Sequence, residues 1–219
     1  MRKFIIISLF LISFSTAAYA EYSDMPSDWS YESMNWAVEN GIINGSDGKI
    51  NPDGYITRAE QAAVLARYAR QNELFPDSAA SYTYSDTDAS DWFYEDVCYV
   101  SASNIMNGDG ESFRPYDNVT REEAVSAMSR MLSIAENEGA CEAFSDAGQI
   151  SDWARGSVGA FAELGLVNGD GGEFRPHDAI SRKEFVAVLF RCGGQEEEPP
   201  KRLEPVVDED GSVWSPVYN

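Results

Sequence analysis

Basic side chains are scarce in this 219-residue chain: 16 lysines and arginines stand against 37 aspartates and glutamates, a formal charge of −21. So acidic a surface repels phosphate backbones and anionic headgroups, which excludes nucleic acid and anionic membrane as bulk electrostatic partners. Histidine is almost missing. His177 is the single one, and no nucleophile–base pair is visible, so nothing reads as a catalytic constellation. The many acids are read as solvated surface, and no cofactor is expected. Cysteine is limited to Cys98, Cys141 and Cys192, an odd number at spacings that fit no zinc site. One disulfide plus a thiol and three buried thiols both fit that count; the second is expected. After residue 20 there is no apolar run of membrane length, so no spanning helix is expected in the mature chain.

One apolar run does exist, at the start. Arg2 and Lys3 precede Phe4 to Phe14, and Ala18-Tyr19-Ala20 follows with small residues in alternate positions. That order predicts a secretory signal peptide over residues 1–20. Its removal takes Arg2 and Lys3, leaving 14 basic against 37 acidic side chains, a charge of −23. The residue directly after the cleavage site is Glu21 rather than cysteine, so a lipoprotein anchor is not indicated. The mature chain is expected to be exported and soluble.

What the chain has in quantity is repetition. Trp29, Trp92 and Trp153 each stand 15 residues before an Asn-Gly pair, at Asn44, Asn107 and Asn168. Each Asn stands 8 residues before a proline (Pro52, Pro115, Pro176), and each proline 6 before an arginine (Arg58, Arg121, Arg182). The period is 63 and then 61. Such units cannot bury an apolar face alone and stack on their neighbours. The units are placed at residues 21–75, 82–134 and 142–193. The remainder, 194–219, is an acidic, proline-containing tail, expected to be flexible, in which VVDEDGSVW could fold back as a small hairpin about Asp210-Gly211.

Each unit reads as helix, loop, helix, so the expected class is all-α. The first helices are predicted at Tyr31 to Glu39, Tyr94 to Ser103 and Gly156 to Leu164. Their buried faces carry Met34, Val97 and Val158 and, three residues on, Ala37, Val100 and Phe161. Gly41, Asn104 or Gly165 ends them, the residue types that most readily take a left-handed conformation. An apolar plug (Ile50, Phe113, Phe174) precedes the proline. The second helices open at Thr57, Thr120 and Ser181, each with a glutamate three residues later (Glu60, Glu123, Glu184), which is a capping box. Ala62, Val125 and Val186, then Leu65, Met128 and Leu189, form the buried stripe. Arg67, Arg130 and Arg191 suit the helix dipole near the end and are read as structural.

The boxes YITRAE, NVTREE and AISRKE raise a question. Ile56 is a candidate staple residue there, but its partner position holds Gln61. Arg58, Arg121 and Arg182 occupy the first helical position, where a cation is disfavoured by about 0.3–1 kcal/mol. Three such arginines require an offsetting gain. One reading is an external anion gripped by the guanidinium fork beside open helix N–H groups. The other is an intramolecular pair, with Asp24, Asp86 or Asp146 or with the neighbouring unit. Tryptophan at fixed spacing is more often core than ligand platform, yet it also offers a flat apolar face to a sugar. Beside an anion-binding arginine it would suit an acidic sugar. No metal site is expected: matched to a calcium loop, KINPDGYITRAE puts Lys49 where a carboxylate is required, and the other copies put Arg114 and Arg175 at position three.

These motifs resemble the S-layer homology family. Tyr22-Ser23-Asp24, Tyr84-Ser85-Asp86 and Phe144-Ser145-Asp146 are similar to its aromatic-x-Asp opening, and Trp, Gly-Ile, Asn-Gly, Phe-x-Pro and Thr-Arg-Ala-Glu follow in its order. The likeness covers roughly residues 22 to 193. It implies a pseudo-threefold bundle, second helices meeting at the centre, and grooves between units. It further implies non-covalent attachment at the cell surface to an anionic secondary polysaccharide of a Gram-positive-type wall, often a pyruvylated aminosugar polymer. By the resemblance, Arg58, Arg121 and Arg182 would grip the pyruvate carboxylate, and Trp29, Trp92 and Trp153 would line the grooves. Asp24, Asp86 and Asp146 would bind the sugar, and Gly41 and Gly165 would allow close backbone approach. Asn104 departs from that glycine, which would narrow or inactivate one groove. The alternative is a surface protein whose repeats mediate protein–protein assembly, with the tail recruiting an exported partner.

Overall fold

Among the described residues, apolar spacing and capping chemistry together produce six α-helices, two per unit. The computed structural model describes residues 22–76 and 84–193, with the backbone of 206–207 and 213–214. The expected signal peptide and most of the tail lie outside the described residues. The helices are α1 (Tyr31–Glu39), α2 (Arg58–Gln71), α3 (Tyr94–Ala102), α4 (Arg121–Leu132), α5 (Asp152–Glu163) and α6 (Arg182–Gly193). Two 3-10 turns, Glu138–Ala143 and Ala147–Gln149, lead into α5. In the tail, β1 (Val206–Val207) and β2 (Val213–Trp214) pair antiparallel, with Val207 opposite Val213. Among the described residues no helix is long and apolar enough to cross a membrane.

Local chemistry sets most of these boundaries. Thr57 and Thr120 accept from the backbone N–H groups of Glu60 and Glu123, whose carboxylates accept from the threonine N–H groups in return. Ser181 and Glu184 make the same pair of contacts. Gly41, Asn104 and Gly165 all take positive φ, 63°, 54° and 68°. The turn they make lets the N–H groups of Ile42, Ile105 and Leu166 donate to Ala37, Val100 and Phe161 carbonyls. One boundary differs from expectation: α5 begins at Asp152, four residues before Gly156. Ser151 is extended there (ψ 142°) and serves as its N-cap residue, and Asp152 favours the positive end of the dipole. Trp153 therefore sits inside a helix, whereas Trp29 and Trp92 precede theirs.

The units interlock cyclically. α3 packs on α2, α5 on α4 and α1 on α6, so each second helix is covered by the next unit's first helix and the third unit closes on the first. At the centre three backbone strands meet in a ring. Val119 N–H donates to Ile56 (3.0 Å), Ile180 N–H to Val119 (2.9 Å) and Ile56 N–H to Ile180 (3.1 Å). The side chains of Ile56, Val119 and Ile180 are buried, so Ile56 is an axial core residue rather than a staple. It is the entrances of the second helices that gather on the axis. The plugs Ile50, Phe113 and Phe174 and the predicted stripe, Leu65, Met128 and Leu189 among it, are all buried. Cys98, Cys141 and Cys192 are thiols; Cys141 donates to the Arg155 carbonyl (2.8 Å), and burial pushes the Cys192 thiol up to about 12.

Candidate binding grooves at the unit junctions

The arginine at each helix start reaches into the following unit. Arg58 Nε donates to the Phe113 carbonyl (2.8 Å) and Nη2 to the Asn107 carbonyl (2.9 Å). Arg121 Nε donates to Phe174 (2.8 Å) and Nη1 to Glu184 (3.2 Å). Arg182 closes the ring: Nε to Ile50 (3.0 Å), Nη2 to Asn44 (3.2 Å) and Nη1 to Glu60 (2.7 Å). Burial pushes Arg58 and Arg121 below the usual guanidinium value, opposed by Glu123 and Glu184.

The helix N–H groups are taken as well. Arg58 and Ala59 donate to the Asp117 and Pro115 carbonyls, Arg121 and Glu122 to Asp178 and Pro176, and Arg182 and Lys183 to Gly54 and Pro52. The expectation of outward-pointing N–H groups at these helix starts is therefore corrected. Carbonyls of the next unit occupy them, because the ring closure brings each plug–proline loop against the preceding helix start. This is the neighbouring-unit form of the intramolecular reading.

Open clefts nevertheless lie beside all three arginines, and each is built from all three units. The first, about 610 Å³, has Trp29 from unit one, Arg121 from unit two, and Asn168, Gly169, Arg175, Lys183, Glu184 and Arg191 from unit three. The second, about 540 Å³, joins Trp92, Arg182 and the unit-one residues Asn44, Gly45, Lys49, Glu60 and Arg67. The third, about 330 Å³, joins Trp153, Arg58 and the unit-two residues Asn107, Gly108, Arg114, Glu123 and Arg130. The indoles are 60%, 62% and 56% exposed, a large apolar face left in solvent at the same place three times. A Cβ on Gly45 would overlap the Lys49 carbonyl and the Tyr22 ring, so only glycine fits that loop.

Other residues singled out from sequence lie elsewhere. Asp24, Asp86 and Asp146 do not line the grooves. Each uses both carboxylate oxygens on consecutive backbone N–H groups: Ile50 and Asn51 (2.7 and 2.9 Å), Phe113 and Arg114 (both 2.8 Å), Phe174 and Arg175 (2.8 and 2.7 Å). They hold a turn in which Asn51, Arg114 and Arg175 have φ of 51°, 58° and 56°, a region costly for side chains that bear a Cβ. Gly41 and Gly165 likewise have open space around them and line no groove. Nor does Asn104 line the smallest groove, so its narrowness has another source.

Asp24 and Glu184 predict an acid response. Burial raises Asp24, but the Ile50 and Asn51 N–H groups outweigh this and hold it below its ordinary 3.8. Burial raises Glu184 too, and Ser181 with Arg121 and Arg175 hold it below 4.5. A depressed folded-state value stabilises above the unfolded value, and that contribution is lost as pH falls through the folded one. The melting temperature is thus expected to be level from neutrality to about pH 5 and to fall below about pH 4. Thermal melts followed by circular dichroism over that range check this; a midpoint already falling between pH 7 and 5 would contradict it.

Sequence reasoning passed over several groove residues. Arg67, Arg130 and Arg191, read as dipole partners, donate to the Ile42, Ile105 and Leu166 carbonyls (3.2, 2.9 and 3.1 Å) and face the clefts. Arg114 and Arg175 stand in two of the three. The available signal was the constant nine-residue step from Arg58 to Arg67, Arg121 to Arg130 and Arg182 to Arg191.

Three interlocked helix–loop–helix units, with an indole-walled basic cleft at each junction, define a three-repeat helical module. The chain belongs to the S-layer homology domain family, whose pattern matches residues 21–62, 83–125 and 143–186. It is 31% identical over 187 residues to the amylopullulanase of Thermoanaerobacterium thermosulfurigenes, covering 81% of this chain and 10% of that protein. With the cellulosome-anchoring protein of Acetivibrio thermocellus it shares 31% over 152 residues, 66% of this chain and 33% of the relative. With the S-layer protein sap of Bacillus anthracis the figures are 26% over 189 residues, 84% and 23%. The chain thus spans a tenth to a third of these relatives. Its family and relatives make it a secreted protein of the cell surface or wall.

Proposed function

We propose that this chain is a non-catalytic anchoring module that holds to the cell wall by binding an anionic secondary polysaccharide, a pyruvylated aminosugar polymer being the best fit. One observation carries this reading. In a chain of charge −21, ten of the twelve lysines and arginines among the described residues line the three grooves. Concentrating cations in clefts raises the local potential for an anion despite the net charge. The exposed indole on each wall offers a sugar ring an apolar face, with its N–H as donor. Arg114 and Arg175 make only ion pairs of 3.6 Å or longer, so their N–H groups are better placed to take a ligand carboxylate than those of the clamping arginines. Three grooves on a repeating polymer would add avidity.

The protein without its signal peptide is expected to sediment with purified sacculi and to stay in solution with sacculi stripped of their secondary polymer. Undiminished binding to stripped sacculi would replace the polysaccharide with peptidoglycan or a wall protein, in keeping with the assembly reading. The arginine clamp belongs to that second reading also, but the clamp acts within one chain and leaves the clefts open.

A further inference from the structure

The three indole walls sit in equivalent places, yet each is supported by different chemistry, and the difference traces to one position. The second residue of each second helix is Ala59, Glu122 or Lys183, and Glu122 and Lys183 both contact the segment that carries the next unit's tryptophan. Lys183 Nζ lies 2.9 Å from Asp28 and 2.6 Å from Asp53, and 5.8 Å from the Trp29 ring centroid. The other Asp28 oxygen accepts from the N–H (2.9 Å) and hydroxyl (2.6 Å) of Ser30. The carboxylate therefore spans Trp29, tied to α6 on one side and to the residue after the indole on the other.

Elsewhere the support changes. Glu122, which is buried, accepts from the N–H (3.0 Å) and hydroxyl (2.8 Å) of Ser151, two residues before Trp153, with His177 Nδ1 at 3.2 Å. Ala59 has no group to offer. There Trp92 stands edge-on to Phe93 at 5.4 Å, and Phe93 edge-on to Tyr116 at 5.8 Å.

We propose that Lys183 is the positioning residue for the Trp29 wall, so that this groove alone is set by an exposed ionic clasp. Resting on the binding function proposed above, this makes the three grooves separately tunable: the Trp29 groove by ionic strength, the other two by contacts that salt does not screen to the same degree. Screening acts on the clasp because Asp28 and Asp53 are 42% and 78% exposed.

The test is the fluorine spectrum of the full chain labelled with 5-fluorotryptophan, its signals assigned by single Trp→Phe variants. Lys183→Met is expected to shift or broaden the Trp29 signal and leave those of Trp92 and Trp153 in place. Lys183→Arg should restore it. Asp28→Asn, which keeps the groove cation and an acceptor for Ser30, should move the same signal, as should added sodium chloride in the parent protein. An unmoved Trp29 signal in Lys183→Met, or equal movement of all three, overturns the proposal. Because the spectrum needs no ligand, failure of the parent protein to bind sacculi would refute the anchoring function and leave this result standing. On sacculi, Lys183→Met should lower the retained fraction and Lys183→Arg recover it.

Discussion

Alanine at Arg58, Arg121 and Arg182 together is expected to unfold the protein, not to leave a folded domain with empty grooves. Each guanidinium donates to a plug carbonyl of the following unit and faces a glutamate of that unit's capping box. Removing it strands buried acceptors and a carboxylate at once. For Arg182, with two carbonyls and Glu60 at 2.7 Å, the single substitution is expected to cost about 3 kcal/mol. Arg121→Ala should cost less, having one carbonyl and one longer carboxylate contact. Three such losses approach the whole stability of a domain this size, about 5–15 kcal/mol. Arg182→Lys should not rescue, since an ammonium cannot span both carbonyls and the carboxylate in a fixed fork. Urea unfolding followed by circular dichroism reads the result. A triple variant with the parent's midpoint would show that the clamp contributes nothing.

The opposite pattern is expected for the indoles. Trp29, Trp92 and Trp153 are more than half exposed, so alanine there should change stability by no more than about 0.5 kcal/mol each. Binding should collapse. A buried aromatic contact is worth about 2 kcal/mol or more when truncated, and losing it in all three grooves also removes avidity. Retention on sacculi should fall at least ~100-fold for the triple alanine variant, with single variants losing far less. Sedimentation with sacculi and urea unfolding on the same samples separate the two effects. Full retention by the folded triple variant would remove the tryptophans from the binding surface.

Together these variants separate two roles that look alike in sequence. Arg58 and Trp29 recur with equal regularity, and position alone makes both candidates for a ligand. Burial distinguishes them: the guanidinium of Arg58 is enclosed by the next unit, and the indole of Trp29 is not. Arg67 and Arg191 show the reverse. Their place near a helix end suggests a dipole partner, and only the fold brings that end to a groove. The aspartates at 24, 86 and 146 recur beside an aromatic residue as a sugar ligand would, but their oxygens meet the backbone 26 to 29 residues on.

The amino-acid sequence by itself determined that each unit carries two helices, the capping boxes of the second helices, the left-handed residue that ends the first helix of each unit, the buried stripes and the threefold repetition; the start of α5 it did not. These depend on contacts within about one turn or on periodicity, and both are written locally. The tertiary structure alone decided that each arginine serves the following unit, that the third unit closes on the first, and that a groove takes its indole, its clamp and its floor from three different units. Those contacts join residues up to 138 positions apart. Units that share the same motifs give an arginine three chemically similar loops to choose from, so the choice follows from the geometry of ring closure and from no pattern along the chain.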